Sequence, residues 1–499
     1  MNKTSRRQFL KTSVVAGVGL ATTRRAFSAA SAARIAGAND AVRVAVIGMG
    51  GKDTVGGVGG RGRQLIASLL QVPGTRIVAL CDVDQDFLRR EAQPLQERGL
   101  DIATHTDLRR VFDDPAIDAV IVATPNHWHG LATVWACQAG KDVYVEKPFS
   151  HSIWEGRQMV GAARKHGRIV QTGTQNRSSP LIRQATAELQ AGALGPIRYG
   201  HAIMYRGRDS IGRVDTPMPV PATLDYDLWC GPAPKAPLRR KQLHYEWHWF
   251  WDTGNGEIGN NGVHMMDICR LALGADGVPP RAMSVGGRFA VNDAGETANT
   301  QVALLDYERA PLICEIRNLK AGTGGIGTFR NRTRGIIVQC EGGYFAGDST
   351  GGAFYDRQDK KIKDIPAGSA GRLDVVHLAN FVAAVRSRRA ADLACEAAEG
   401  HYSAACCHMA NVSHRLGATA RPEAIRERLR AQPALADAFE RCRQHLAENG
   451  VNLEQTPAVL GPVLTYDGKR ERFVGDLAEK ANALSRREYR APFVMPEIV

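Results

Sequence analysis

Over residues 41–173, apolar runs recur with polar, helix-forming stretches between them. The runs fall at 41–47, 75–80, 119–125, 142–146 and 168–173, and most are rich in Val, Ile and Ala with little polar alternation. Runs of that length without a polar face predict strands buried on both sides, as in a parallel sheet. The stretches 63–70 and 129–139 read as helices. Strand–helix alternation of this kind predicts a doubly wound α/β sheet. Beyond residue 175 the rhythm changes. A helix is expected at 180–191, then strands at 197–205, 282–289, 300–306, 311–319 and 334–340, then helices at 377–388 and 397–416. Residues 417–499 are polar and Arg-rich and predict a segment wrapped over the surface.

Glycines give the first half a use. The run 41–47 passes directly into Gly48, Gly50 and Gly51, then Gly56, Gly57, Gly59, Gly60 and Gly62, and then a helix. Strand, glycine turn and helix is the context of a dinucleotide-binding fingerprint, in which the backbone closes on a pyrophosphate at a helix N-terminus. The spacing is interrupted, with 52–58 reading as an insertion. Gly48, Gly50, Gly60 and Arg61 are the cofactor-binding candidates of this turn. The run 75–80 leads to Asp82, placed to grip a ribose 2′-hydroxyl and repel a 2′-phosphate, so NAD is expected over NADP. Ligands of such sheets sit beyond the carboxyl ends of the strands, where Thr124, Pro125 and Asn126 fall, and also Glu146, Lys147 and Pro148. Pro148 restricts Lys147 to extended backbone.

A chain of 499 residues exceeds one core, and 44% hydrophobic residues suit globular packing. The formal charge of +13 comes with arginines spread along the chain and no aromatic-interleaved basic stripe, so no nucleic-acid partner is expected. The ten cysteines form no C-x-x-C pair, and no metal site is expected. Several lie in apolar runs, where Cys acts as a small core residue. An extracytoplasmic location would admit one or two disulfides, whose pairing sequence does not give. No apolar run approaches the ~20 residues of a membrane span.

The glycine turn, Cys81-Asp82, Thr124-Pro125-Asn126-His127 with His129, and Glu146-Lys147-Pro148 together resemble the glucose–fructose oxidoreductase, inositol dehydrogenase and rhizopine-catabolism family. The resemblance implies an NAD(P)-binding Rossmann domain, here 40–174. It implies a C-terminal α+β domain, here 175–420, with a large open, mostly antiparallel sheet that serves as substrate wall and as the interface of a homo-oligomer. Residues 421–499 stand apart as an extension. Thr124, Pro125, Asn126, His129, Glu146 and Lys147 would line the cofactor. Lys147 would sit beside the nicotinamide and hydrogen-bond the reacting oxygen of a sugar, polyol or glycoside, and His264 would accept or relay the proton.

On the substrate side, Gln175 and Arg177 follow the last strand of the first domain, and Tyr205 ends the strand 197–205. The aromatic run 245–251, with Trp249 at its middle, would stack on sugar rings or anchor the core. A helix starting near Glu257 would place Asn260, His264 and Asp267 on one face. Members of the family often carry Asp four residues before this His; Asn260 can serve neither as base nor as partner to an imidazolium. Asp267 or Glu257 is the expected substitute. Three activities stay open: a dehydrogenase, a redox-assisted glycoside hydrolase that returns its hydride, and a non-catalytic sugar-binding protein.

The first residues, Ser5-Arg6-Arg7 and onward, precede a mild Gly- and Ala-rich apolar stretch at 13–22 and small residues at 26–38, with Arg24 and Arg25 between. The layout over 1–34 resembles a twin-arginine export signal cleaved within 30–36. It implies passage through the twin-arginine machinery and a periplasmic or secreted protein. Such a protein would be folded before export, with its cofactor tightly held.

Overall fold

The computed structural model describes residues 41–50, 60–321, 324–368 and 372–498. The expected export signal at 1–34 and the expected insertion at 52–58 lie outside them. Six parallel strands form the first sheet: β1 (Val42–Ile47), β2 (Thr75–Cys81), β3 (Ala103–His105), β4 (Ala119–Val122), β5 (Asp142–Val145) and β6 (Val170–Thr172). Their order is β3-β2-β1-β4-β5-β6, the doubly wound order expected. β3 is three residues long with a mostly exposed pattern, so it carries no apolar run to read. The order in which the chain adds strands reverses between β1 and β4. There α1 (Arg61–Leu69) and α2 (Asn126–Gln138) begin, and the ends of β1 and β4 face the same space.

The second sheet is larger and mixed. It holds β7 (Ile197–Tyr205), β8 (Arg281–Gly287), β9 (Thr300–Asp306), β10 (Leu312–Arg317), β11 (Arg334–Cys340), β12 (Gly343–Asp348), β13 (Gly351–Asp356), β14 (Lys361–Pro366), β15 (Ala418–Ala420), β16 (Ala458–Leu460), β17 (Leu464–Asp467) and β18 (Arg472–Val474). The order runs β14-β13-β12-β11-β7-β10-β9-β8-β16-β15, with β17 on β8 and β18 on β17. The β7–β10 pair is parallel and the neighbouring pairs are antiparallel. β12 to β14 went unpredicted because glycines and charges break their apolar pattern. β14 is an edge strand carrying Lys361 and Lys363, a composition that discourages edge-to-edge pairing.

Strand alternation sends successive side chains to opposite faces. On one face Ala303, Leu305, Cys314 and Ile316 pack with α3 (Val263–Leu273) and with Cys406, Met409 and Ala410. On the other, Val302, Leu304 and Ile313 are covered by Leu429, Leu435, Phe439 and Leu446. These come from α6 (Pro422–Leu429) and α7 (Pro433–Glu448), where α4 (Leu373–Ser387) and α5 (Ala397–Arg415) are the helices between. The 421–498 segment is therefore woven into the fold. Its helices cover β8 to β10, its strands extend the sheet, and Phe493 and Met495 pack into the first domain's core. Later chain also completes that first domain, since Leu378, Phe381 and Val385 of α4 join the core under β1 and β4.

All ten cysteines are free and buried. Among the described residues no His, Cys, Asp and Glu cluster fits a metal ion, and no helix is long and apolar enough to cross a membrane.

Candidate active site

The carboxyl ends of β1, β2, β4 and β5 meet the start of the second domain around a cleft of about 290 Å³. Its first-domain wall is built by backbone. Gly48 and Gly50 take left-handed φ of +88° and +79°. A Cβ on Gly48 would lie 2.8 Å from the Thr124 amide nitrogen, and one on Gly50 would lie 2.6 Å from Gly60. Only glycine fits this cradle. The N-terminus of α1, capped by Gly60 with no side-chain bond, opens there with no acidic residue in its first turn. Its free amides suit a phosphate. Asp82 stands at the rim of the same turn. Its carboxylate accepts from the Met49 amide at 2.6 Å and the Asp84 amide at 3.0 Å. Burial pushes its pKa up, against the pull of those two amides. The cradle and carboxylate fit a dinucleotide.

Thr124, Pro125, Asn126, His129, Glu146 and Lys147 all line the cleft, as do Gly48, Gly50, Gly60, Arg61 and Asp82. Their partners refine their roles. Arg61 is bound by two carboxylates, Glu146 and Asp374, each at 2.7 Å, so its charge is compensated rather than offered to a phosphate. His129 spans two turns, with Nδ1 at 2.7 Å from the Pro148 carbonyl and Nε2 at 2.9 Å from the Thr124 carbonyl. It ties the two strand-end loops together. The hydroxyl of Thr124 is buried with no partner.

Lys147 crosses to the second domain. Its Nζ donates to the Asn260 carbonyl at 2.6 Å and lies 3.3 Å from Asn260 Oδ1. Burial brings its pKa down to about 8, with the Glu146 charge acting the other way. Asn260 and His264 line the cleft opposite it. The backbone carrying them departs from the expected helix. Ile258–Gly262 is a π-helical turn, and α3 starts only at Val263. Glu257 lies directly before that turn and receives the Asn261 amide at 2.5 Å and the Asn260 amide at 3.4 Å. The second contact turns Asn260 Oδ1 toward Lys147. His264 Nδ1 is buried without a partner, and burial with the nearby Lys147 charge holds the imidazole well below its ordinary pKa.

Several expected substrate residues are placed elsewhere. Arg177 and Asp267 do not line the cleft. They pair with each other at 2.9 Å, 6% and 0% exposed, and Arg177 also holds Glu399. Asp267 falls on the buried side because α3 packs that face against α5, where Ser403 donates to it. Tyr205 lies on the far face of the second sheet, among Ile203, Ile337 and Tyr344, with Arg317 over its ring. Trp249 is buried off the cleft beneath Arg208. Glu257 is no free base, since Arg208 holds it at 2.9 Å. Gln175 does line the cleft, and its Oε1 is buried without a partner.

The aromatic run contributes different members: Tyr245, Trp247 and His248. His248 was not expected. Its Nδ1 lies 2.6 Å from the Tyr245 carbonyl. A carbonyl only accepts, so Nδ1 carries the proton and the neutral ring keeps its lone pair on Nε2. The ring stacks on Trp247 with centroids 3.6 Å apart. Burial drops its pKa to about 3. The residues sit on the 3₁₀ turn Glu246–Trp249, where no periodicity tells which ring faces the ligand.

Comparison with known proteins agrees with this architecture. Residues 42–174 match a family described as an oxidoreductase family with an NAD-binding Rossmann fold, and residues 200–313 match its C-terminal alpha/beta domain. The chain belongs to the glucose–fructose oxidoreductase, inositol dehydrogenase and rhizopine-catabolism family. Within this family it is 35% identical over 173 residues to a "Glycosyl hydrolase family 109 protein" of Solibacter usitatus, covering 33% of this chain and 37% of that protein. It is 33% identical over 159 residues to a scyllo-inositol 2-dehydrogenase (NAD(+)) of Bacillus subtilis, covering 32% and 43%. The matched segments thus span less than half of these two relatives. A crystal structure of aldose-aldose oxidoreductase from Caulobacter crescentus complexed with glycerol superposes over 73% of this chain and 94% of that one, with TM-score 0.53 and 18% identity, a likeness of fold.

Proposed function

We propose that this family member is an exported oxidoreductase that uses tightly held NAD to act on a CH–OH group of a sugar, polyol or glycoside. The observation that carries the reading is Lys147, a half-buried ammonium reaching from the cofactor-side strand end to Asn260 on the substrate side. When bound, the nicotinamide supplies the hydride acceptor. Gly48, Gly50 and Gly60 would hold its pyrophosphate and Asp82 its ribose. Lys147 would donate to the reacting oxygen and stabilise negative charge as it develops. Burial keeps His264 and His248 neutral, so each offers a lone pair to a substrate hydroxyl and can take its proton. Thr124 Oγ1, Gln175 Oε1 and His264 Nδ1, all without partners, are the polar groups that a hydroxylated ligand would satisfy.

Asn260 favours a second reading. Without a carboxylate beside His264, the site suits a cycle in which the substrate is oxidised transiently, a glycosidic bond is cleaved next to the new carbonyl, and the hydride is returned. Purified protein tested against sugars and glycosides separates the two. Stoichiometric nicotinamide reduction supports the dehydrogenase, and aglycone release without net reduction supports the glycosidase. Neither, with bound NAD present, leaves only a sugar-binding role. Calorimetry on apo-protein should show NAD binding more tightly than NADP; equal affinity would remove the role given to Asp82.

Export rests on the leader and suits the ten free thiols, which match folding before translocation. Replacing Arg6 and Arg7 by Lys should retain the precursor in the cytoplasm. Unchanged processing would refute the route. A homo-oligomer fits the family. The helices over β8 to β10 would confine its interface to the remaining sheet face, near β11 to β13, which light scattering with a β12–β13 surface variant would test.

A further inference from the structure

Outside the cleft, a second cavity of about 390 Å³ lies between α5 and the C-terminal segment. Three arginines line it, Arg415, Arg486 and Arg487. Arg177 and Arg208, deeper in the fold, are matched to the carboxylates of Asp267 and Glu257, whereas Arg487 is half-buried and Arg415 and Arg486 are exposed. None of these three makes an ion pair within 4.0 Å among the described residues. They are nonetheless held in place. Arg415 lies over Trp251 at 5.2 Å and Arg486 over Trp154 at 4.0 Å. Arg487 donates to the Asp252 carbonyl at 2.8 Å. Stacking on an indole orients a guanidinium without consuming its charge.

The floor of the cavity points the same way. His151 is 9% exposed, and its Nδ1 lies 3.4 Å from Arg487 Nη1. A guanidinium only donates, so Nδ1 accepts and the neutral ring carries its proton on Nε2. That Nε2 is buried with no acceptor, and so is Arg487 Nε. The Gly254 carbonyl acts on the ring as a backbone acceptor and favours its protonated form, short of a well-formed hydrogen bond to Nε2. Glu155, whose charge Arg487 feels, is already engaged by the Tyr489 hydroxyl and the His151 amide. Asp252 and Glu488 also line the cavity, both exposed at its rim. Arg415 feels the charges of Glu296 and Asp252, but Arg487 Nε and His151 Nε2 are buried without a well-formed hydrogen bond, which leaves an acceptor missing beneath the guanidinium groups.

We propose that this cavity is a binding site for the oxyanion group of a small molecule, a carboxylate or a phosphate, seated between Arg487, His151 and Arg415. An oxyanion there accepts from the Arg487 and His151 donors and neutralises the arginines. Either a phosphate ester or a sugar acid presents such a group.

Calorimetry on the full chain, with inorganic phosphate and with glucuronate as separate probes, tests the site. At least one probe should bind saturably; phosphate alone indicates a phosphate ester, and glucuronate alone a sugar acid. Arg487→Gln should weaken binding tenfold or more, and the exposed Arg415→Gln about threefold, since one charged contact of several is lost. NAD affinity should stay unchanged in both, which shows that the variants are folded. If Arg487→Gln does not fold, Arg415→Gln still decides. Failure of both probes to bind the wild-type chain overturns the proposal, and so does equal binding by wild type and a folded variant, which would make the contact an adventitious ion only.

Discussion

On the first-domain wall of the cleft, Gly48, Asp82, Thr124 and Lys147 stand at the ends of parallel strands; on the facing wall, Asn260, His264 and His248 hang from a π-helical turn, the first turn of α3 and a 3₁₀ turn. The first wall is specified by backbone. Its strands are buried on both sides, its glycines are forced by contacts under 3 Å, and its chemistry must emerge at the strand ends. The second wall is specified by side-chain partners. Glu257 turns Asn260, the Tyr245 carbonyl fixes the His248 tautomer, and the Arg177–Asp267 pair removes two polar residues from the cleft. Backbone-determined chemistry tolerates sequence reading, whereas partner-determined chemistry depends on contacts between residues far apart in the chain.

The largest expected effect concerns the pair that left the cleft. Asp267→Ala strips the main partner from a buried guanidinium, which typically costs about 3–5 kcal/mol. Urea unfolding should show that loss, while substrate KM in the surviving folded fraction stays near wild type. A raised KM with unchanged stability would return Asp267 to the substrate site. Next in size, Lys147→Met should lower turnover by roughly 10²–10³, the worth of a donor aimed at a developing oxyanion, with NAD affinity unchanged by calorimetry. Full turnover in this variant would move the reaction centre away from the first wall.

His248→Asn tests the second wall. Removing one positioned proton acceptor should slow turnover by about 10². Trp249→Phe, its neighbour off the cleft, should change KM and turnover little. The reverse ranking would mean that the aromatic run presents its tryptophan to the ligand, as the sequence suggests.

The fold's first half was legible because its strands are continuous apolar runs, and β7, β9 and β11 were found to the residue by the same signal. β12 to β14 escaped because Gly347, Gly351 and Gly352 hollow out their pattern. The 421–498 segment looked peripheral since its helices are amphipathic, with Leu435, Phe439 and Leu446 spaced among arginines. Composition averages over both faces and hides the buried one. In the site, Lys147 and His264 were legible from motif, and Gln175 from its place after β6. Arg177 and Tyr205 lie off the cleft, because proximity in sequence to a strand end does not say which way a side chain leaves the sheet.

The smallest effect is also the most informative about Asn260. Asn260→Asp places a carboxylate oxygen where Oδ1 now lies 3.3 Å from Lys147 Nζ, and the other where Nδ2 now lies 3.4 Å from Glu257. The first contact favours the Lys147 ammonium, and the second sets two carboxylates against each other. Lys147 stands at about 8 in the wild type, so activity that needs its ammonium should fall as pH rises through about 8. With Asp at 260 the alkaline limb should move up by about one unit. It stays in place only if repulsion from Glu257 keeps a proton on one of the two carboxyls, and then a new acidic limb should appear in the pH–rate profile instead. Adding Glu257→Gln to Asn260→Asp removes the repulsion and should restore the alkaline shift, provided that Arg208, which loses its partner, is still held by Tyr245. A profile unmoved in both variants would show that Lys147 is not the group whose deprotonation limits the reaction.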